Sequence, residues 1–231
     1  MPTDAFIHLD KLRCLAEEDG SGHSDPYAWT ILLWIDDTTI ASPNIVGARA
    51  PGNLQASREL IDRNMRPGDT APMPAVQRSF AHHFADGLGI RQIGVIVTLL
   101  EADETPDAAV RAAYDAYVSE LPRAIGEFIR VHRRGPQTEK ERQQIAAEVR
   151  PKVIAASKDA LTGWQKFRIA IGTLNLDDQI DFEFFFTAVP DSQPSPEPFT
   201  LEFRTANGRN HYALDGRFEL LPPPAADPGQ G

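Results

Sequence analysis

The spacing of apolar positions changes period twice along the chain. In "YAWTILLWID", residues 27–36, Tyr27, Trp29, Ile31, Leu33 and Ile35 alternate on one face, while Leu32 and Trp34 make the other face apolar too. A period of two with both faces apolar predicts a strand covered on both sides. "KLRCLA", residues 11–16, predicts a strand before it, and "RQIGVIVTLLEAD", residues 91–103, a long β-branched strand ending in acids. From residue 105 the period lengthens. Val110, Ala113, Tyr114, Tyr117, Val118, Leu121, Ile125, Phe128 and Ile129 recur at three- and four-residue spacing, the mark of a helix with one buried stripe. Thr105 suits its N-cap, Pro106 its first position and Asp107 the positive end of its dipole. Thr138 with Glu141 forms a capping box for a second helix, and Pro122 and Pro151 are expected to kink or interrupt the two. A period of two then returns in four strand candidates, residues 164–174, 180–189, 199–205 and 211–221, with Phe182, Phe184 and Phe186 on one face. Residues 37–90 are rich in breakers, and short helices are expected near 54–62 and 75–86.

Strands at both ends with two helices between them predict a mainly β fold with a helical insertion (α+β). The arrangement expected is one antiparallel β-sandwich carrying a two-helix hairpin at about 105–162. Separate sheets flanking a helical domain would leave neither set of strands able to bury both faces. Residues 1–220 are expected to form a single domain, and 221–231, rich in Pro and Gly, a flexible tail.

Composition narrows the function. At 231 residues and 42% hydrophobic content, the chain can bury a sizeable core. A net charge of −10 argues against nucleic-acid binding, which needs a basic face to neutralise phosphates. It also opposes constitutive docking on anionic membranes, unless bound cations reverse the local sign. Cys14 is the only cysteine, so no intramolecular disulfide forms, which fits a reducing compartment. No basic segment leads into an apolar run at the start, and no stretch approaches 18 apolar residues. The expectation is a cytoplasmic chain that is not transmembrane. The sequence holds no nucleophile elbow, phosphate loop, dinucleotide fingerprint or zinc-cysteine set, which leans against an enzyme.

Three acid clusters each sit at the end of a predicted strand: Glu17, Glu18, Asp19 and Asp25; Glu101, Asp103 and Glu104; and Asp177, Asp178 and Asp181. Singly, each reads as a solvated strand end, and Asp103, Glu104 and Asp107 also make a negative helix start. Together, on one end of a sandwich, they would repel one another and destabilise the compact state. A calcium ion, which takes six to eight oxygen ligands in flexible geometry, would relieve that repulsion. The candidate ligands are Asp19, Asp25, Asp103, Asp177 and Asp178, with Glu17, Glu101 and Asp181 beside them.

"DGSGHSDPYAW", residues 19–29, resembles the first calcium loop of the C-two domain, the calcium-dependent phospholipid-binding β-sandwich. Asp19 and Asp25 match its two aspartates, Gly22 its glycine, and Ser24, Pro26 and Tyr27 the exit into a strand. "LNLDDQIDFEFFF" is similar to the family's later acidic loop: Asp177 and Asp178 fall in it, Ile180 matches its isoleucine, and Asp181 replaces its glycine. The resemblance implies a non-enzymatic calcium-binding module whose acidic loops engage a membrane surface, through anionic phospholipid, or a protein partner.

Two other readings compete. A metal-independent interaction module would use the helical hairpin, whose tip gathers Arg130, Arg133, Arg134, Lys140 and Arg142. A metal-dependent hydrolase would use His82, His83 and Asp86, with His82 and Asp86 four apart on the helix expected there. That reading fails if His82 and His83 point apart.

Overall fold

The computed structural model describes residues 3–17, 24–42, 46–51, 58–102, 105–132, 135–136, 138–162, 179–191, 196–205 and 210–221. Two antiparallel sheets and a helical hairpin stack in three layers. The first sheet holds β1 (Thr3–Ala16), β4 (Thr70–Pro72), β5 (Ser79–Phe84), β8 (Glu197–Arg204) and β9 (His211–Leu221). Its order is β4-β1-β9-β8, and β5 lies beside β4 on the same flank of β1. The second sheet runs β3 (Gly47–Arg49), β2 (Pro26–Asp36), β6 (Arg91–Glu101), β7 (Gln179–Ala188). The short α1 (Asp37–Ile40) follows β2, and the hairpin is α2 (Asp107–His132) with α3 (Glu139–Ala160).

The second sheet is the middle layer, which accounts for its doubly apolar sequences. Ala28, Leu32, Ile93, Val95, Val97 and Leu99 pack toward the first sheet. Trp29, Ile31, Leu33, Ile96 and Leu100 pack toward α2 and α3. Phe182, Phe184 and Phe186 of β7 share one face as expected, and that face packs on the hairpin, while Phe185 turns to the inter-sheet core and stacks on Phe199 at 4.0 Å. In the hairpin layer, Trp29 meets Tyr114 and Tyr117 with ring centroids 5.7 and 5.2 Å apart. Thr98 and Tyr117 hydroxyls form a buried hydrogen bond of 2.7 Å between sheet and helix.

Several expectations are corrected. β1 begins at Thr3, eight residues before the predicted start. A register shift between Leu9 and Lys11 switches its inward phase from Ala5, Ile7 and Leu9 to Leu12 and Cys14, so the alternation breaks in sequence though the strand does not. Around 75–86 there is no helix: Ala75–Gln77 is a single 3-10 turn and β5 follows. Over 58–62 there is none either, because Leu60 bridges Tyr27 and the Ile61 N–H donates to the Pro26 carbonyl at 2.8 Å. Both α2 and α3 continue through Pro122 and Pro151. The Val110 N–H donates to the Pro106 carbonyl, so α2 starts at Asp107, while the Thr105 carbonyl accepts from Arg58 at 2.6 Å. The capping box at Thr138 and Glu141 forms as expected. The strand candidate at 164–174 and the tail beyond Leu221 lie outside the described residues.

Candidate cation-binding edge

Strand register places the chain segments that flank the three acidic loops at one edge of the sandwich. β1 ends there, with Ala16 opposite His211, the first residue of β9. β2 begins there, with Pro26 opposite Glu101, the last residue of β6. β7 begins there, with Gln179 opposite Leu100. The Ala102 N–H donates to the Asp25 carbonyl at 3.0 Å, joining the first and second acidic segments directly. Residues 65–69 fasten the two sheets together at this edge. Ser24 and Met65 exchange backbone hydrogen bonds of 3.0 and 2.7 Å, and the Gly68 N–H donates to the Cys14 carbonyl at 2.9 Å.

Three predicted ligands have described side chains. Glu17 and Glu101 are buried, with 7% and 9% of their surface exposed. Asp25 is half-buried; its Oδ1 accepts the Asn64 N–H at 2.8 Å, with Asn64 in the left-handed region at φ 59°. An open cleft of about 770 Å³ lies beside it, lined by Asp25, Arg58, Leu60, Asp62, Arg63 and Ala102. Behind the edge, the Ser24 and Tyr212 hydroxyls are hydrogen-bonded and fully enclosed. Burial pushes the Cys14 thiol up to about 11, and the nearby Glu17 charge pushes the same way. Burial likewise raises the Tyr212 phenol, with Glu101 adding to the effect.

Asp19, Asp103, Asp177 and Asp178 lie outside the described residues. Asp181 is placed by its backbone opposite Leu99, inside the strand rather than on the loop. Among the described residues, no three of His, Cys, Asp and Glu stand close enough together to hold a metal ion. The described part of the edge brings Glu17, Asp25 and Glu101 to one end of the sandwich without assembling a metal-ligand set. Its closing segment, residues 58–69, carries no helix, against the expectation of one near 54–62. Its contacts with β1 and β2 are bridges between distant residues and leave no periodic signal.

The competing sites disperse. His82 and His83 are neighbours on a strand and point to opposite faces. His82 stacks on Trp34 at 4.3 Å, His83 pairs with Asp4 at 2.7 Å, and Asp86 accepts the Gly87 N–H at 2.9 Å. The hydrolase reading fails on its own condition. At the hairpin tip, Arg130 pairs with Glu127, and Arg142 pairs with Glu183 at 3.1 Å, so two of the five cations are already engaged. Arg133 and Arg134 lie outside the described residues. Among the described residues, no helix is long and apolar enough to cross a membrane.

No protein-family model and no curated protein matches the chain. Among solved structures, the C-two A domain of plant extended synaptotagmin 1 is similar over 96% of each chain, at 9% identity and a TM-score of 0.38. Human GIVD cytosolic phospholipase A2, in complex with methyl gamma-linolenyl fluorophosphonate inhibitor and terbium chloride, is similar at 7% identity and a TM-score of 0.32. That match covers 95% of this chain and 17% of the phospholipase. With identities below 10% and TM-scores below 0.5, the sheets and hairpin themselves carry the fold assignment.

Proposed function

We propose that the chain is a non-enzymatic calcium-binding β-sandwich module whose acidic edge engages a membrane surface or a protein partner. The observation that supports this reading is the register that brings the flanks of all three acidic loops to one edge. Asp25, Glu17 and Glu101 would form the framed side of the site. Asp19, Asp103, Asp177 and Asp178 would supply the remaining carboxylates. Asp25 fits a ligand role, because among the described residues Asn64 engages one of its two oxygens and leaves the other. A bound cation would offset the mutual repulsion of these acids, and with it the edge could meet an anionic surface despite the chain's net charge of −10.

Calorimetric titration of the chain with calcium tests this. Saturable heat is expected, with a weaker response in Asp25→Asn. At calcium a hundredfold above the dissociation constant, ligand linkage contributes ~2.7 kcal/mol. For a domain of this size that raises Tm by roughly 5–11 °C. No heat and no change in Tm at millimolar calcium would sink the reading. Sedimentation with phosphatidylserine vesicles, with and without calcium, then separates membrane engagement from a purely structural ion.

A further inference from the structure

A cavity of about 250 Å³ lies between the middle sheet and the hairpin, and the calcium reading makes no use of it. Its inner wall is apolar, formed by side chains such as Trp29, Leu100, Val110, Leu121, Val149 and Phe182. The polar groups at its depth are satisfied: Thr98 and Tyr117 bond each other, and the Thr105 carbonyl accepts from Arg58. An apolar cavity of ~150 Å³ is already large enough to take up benzene. The exposed members of its lining are Arg150, Ile154 and Lys158, spaced four apart along one ridge of α3. That ridge is where the cavity meets solvent.

The charge at this mouth is opposite to the chain's overall balance. The chain is strongly acidic overall, yet no carboxylate is among the described residues that line the cavity. Several other cations of the hairpin are neutralised: Arg123 pairs with Glu148 at 2.6 Å, Lys152 with Glu120 at 2.5 Å and Arg130 with Glu127. Among the described residues, Arg150 and Lys158 have no such partner. Two uncommitted cations at the rim of a mostly apolar cavity complement one kind of ligand, a chain with an anionic head. The volume lies just below the ~300–1,000 Å³ usual for small-molecule sites. It therefore suits one chain of medium length rather than a two-chain lipid.

We infer that the space between the sheet and α3 is a binding site for a single-chain anionic amphiphile, of the fatty-carboxylate class. The chain lies against Trp29, Leu121 and Val149, and Arg150 and Lys158 hold the carboxylate at the mouth. The Arg150 guanidinium can engage both carboxylate oxygens, and Lys158 acts as a point charge.

The test is titration of the full chain with sodium decanoate, below its micellar concentration and in calcium-free buffer, so that the outcome is independent of the acidic edge. Binding is followed by calorimetry and by the emission of Trp29, with Trp29→Phe as the optical control. The expected result is saturable one-to-one binding, at least about tenfold tighter than decanol, the uncharged chain of equal length. Arg150→Gln with Lys158→Gln, both at exposed positions, should remove that preference while leaving Tm unchanged. Val153→Phe, which fills the cavity, should abolish uptake of both probes. The inference is overturned if decanoate does not saturate, if decanol binds equally well, if the double glutamine variant binds decanoate like the parent, or if a folded Val153→Phe binds like the parent.

Discussion

The hydrogen bond between Thr98 and Tyr117 is the sharpest probe of how the hairpin is docked. Tyr117→Phe deletes one hydroxyl and leaves the other, on a threonine that is 4% exposed, without its partner. Orphaning a buried hydroxyl costs ~1–3 kcal/mol. The adjoining cavity decides where in that range the value falls. A rescuing water needs two to four polar partners, and most of the wall near Thr98 is apolar, with Trp29, Leu100, Val110, Leu121 and Phe182. The expected cost is therefore in the upper half, ~2–3 kcal/mol, or a Tm lower by roughly 4–12 °C for a domain of this size. Thr98→Val in the Tyr117→Phe background removes the orphan and should restore most of the loss. The coupling energy of the cycle is then expected to exceed ~1 kcal/mol. Scanning calorimetry of the four proteins reads this directly. A Tyr117→Phe melt within about a degree of the parent, or simple additivity of the two substitutions, would refute the picture of a dry interface closed by one hydroxyl pair.

Two further outcomes follow from buried groups. Burial pushes the Tyr114 phenol up to about 12 and raises Tyr117 and Tyr212 as well. Above about pH 10 the unfolded chain loses phenolic protons that the folded chain keeps, so stability falls as pH rises, by ~1.4 kcal/mol per pH unit for each group. Denaturant melts between about pH 9 and 11 should show that decline, with most of the phenolate absorbance appearing on unfolding; full phenolate absorbance with the fold intact would contradict it. Gly94→Ala places a Cβ 2.6 Å from the Phe185 carbonyl oxygen and into the Phe186 ring. Overpacking of ~1–3 kcal/mol is expected in chemical denaturation, and an unchanged midpoint would show that β6 and β7 can part at that point.

What was legible in the sequence was whatever a local period could carry. The doubly apolar β2 and β6, the stripe of α2, the box at Thr138 and Glu141 and the phenylalanine face of β7 all repeat a single rule over several turns or pleats. What stayed hidden depended on distant partners. The first half of β1 is masked by a bulge whose cost is offset across the sheet by β9 and β5. The segment 58–69 has no period because its contacts are isolated bridges to β1 and β2. His82, His83 and Asp86 read as a cluster only while residues 75–86 read as a helix. On a strand, adjacent side chains face opposite ways. The cation edge was legible as three acid runs but not as an edge, since only register between strands far apart in sequence brings their flanks together. The cavity was not legible at all, because its walls are ordinary core residues and its mouth two ordinary surface cations.

The place of β9 has a consequence for how the molecule comes to be folded. The last strand lies between β1 and β8, and it holds β1 along nearly its whole length. The ion pair of Arg13 with Asp215 joins residues 202 positions apart in sequence. During synthesis, the middle sheet can pair within residues 26–188, and the hairpin can dock on it. β1, however, waits unpaired on its β9 side until the final strand emerges. Closing so long a loop comes late and is slow. Until then the inward face of the middle sheet, with Leu32, Val95, Val97 and Leu99, lacks most of its cover. A nascent chain stalled before residue 211 therefore leaves that apolar face open to aggregation.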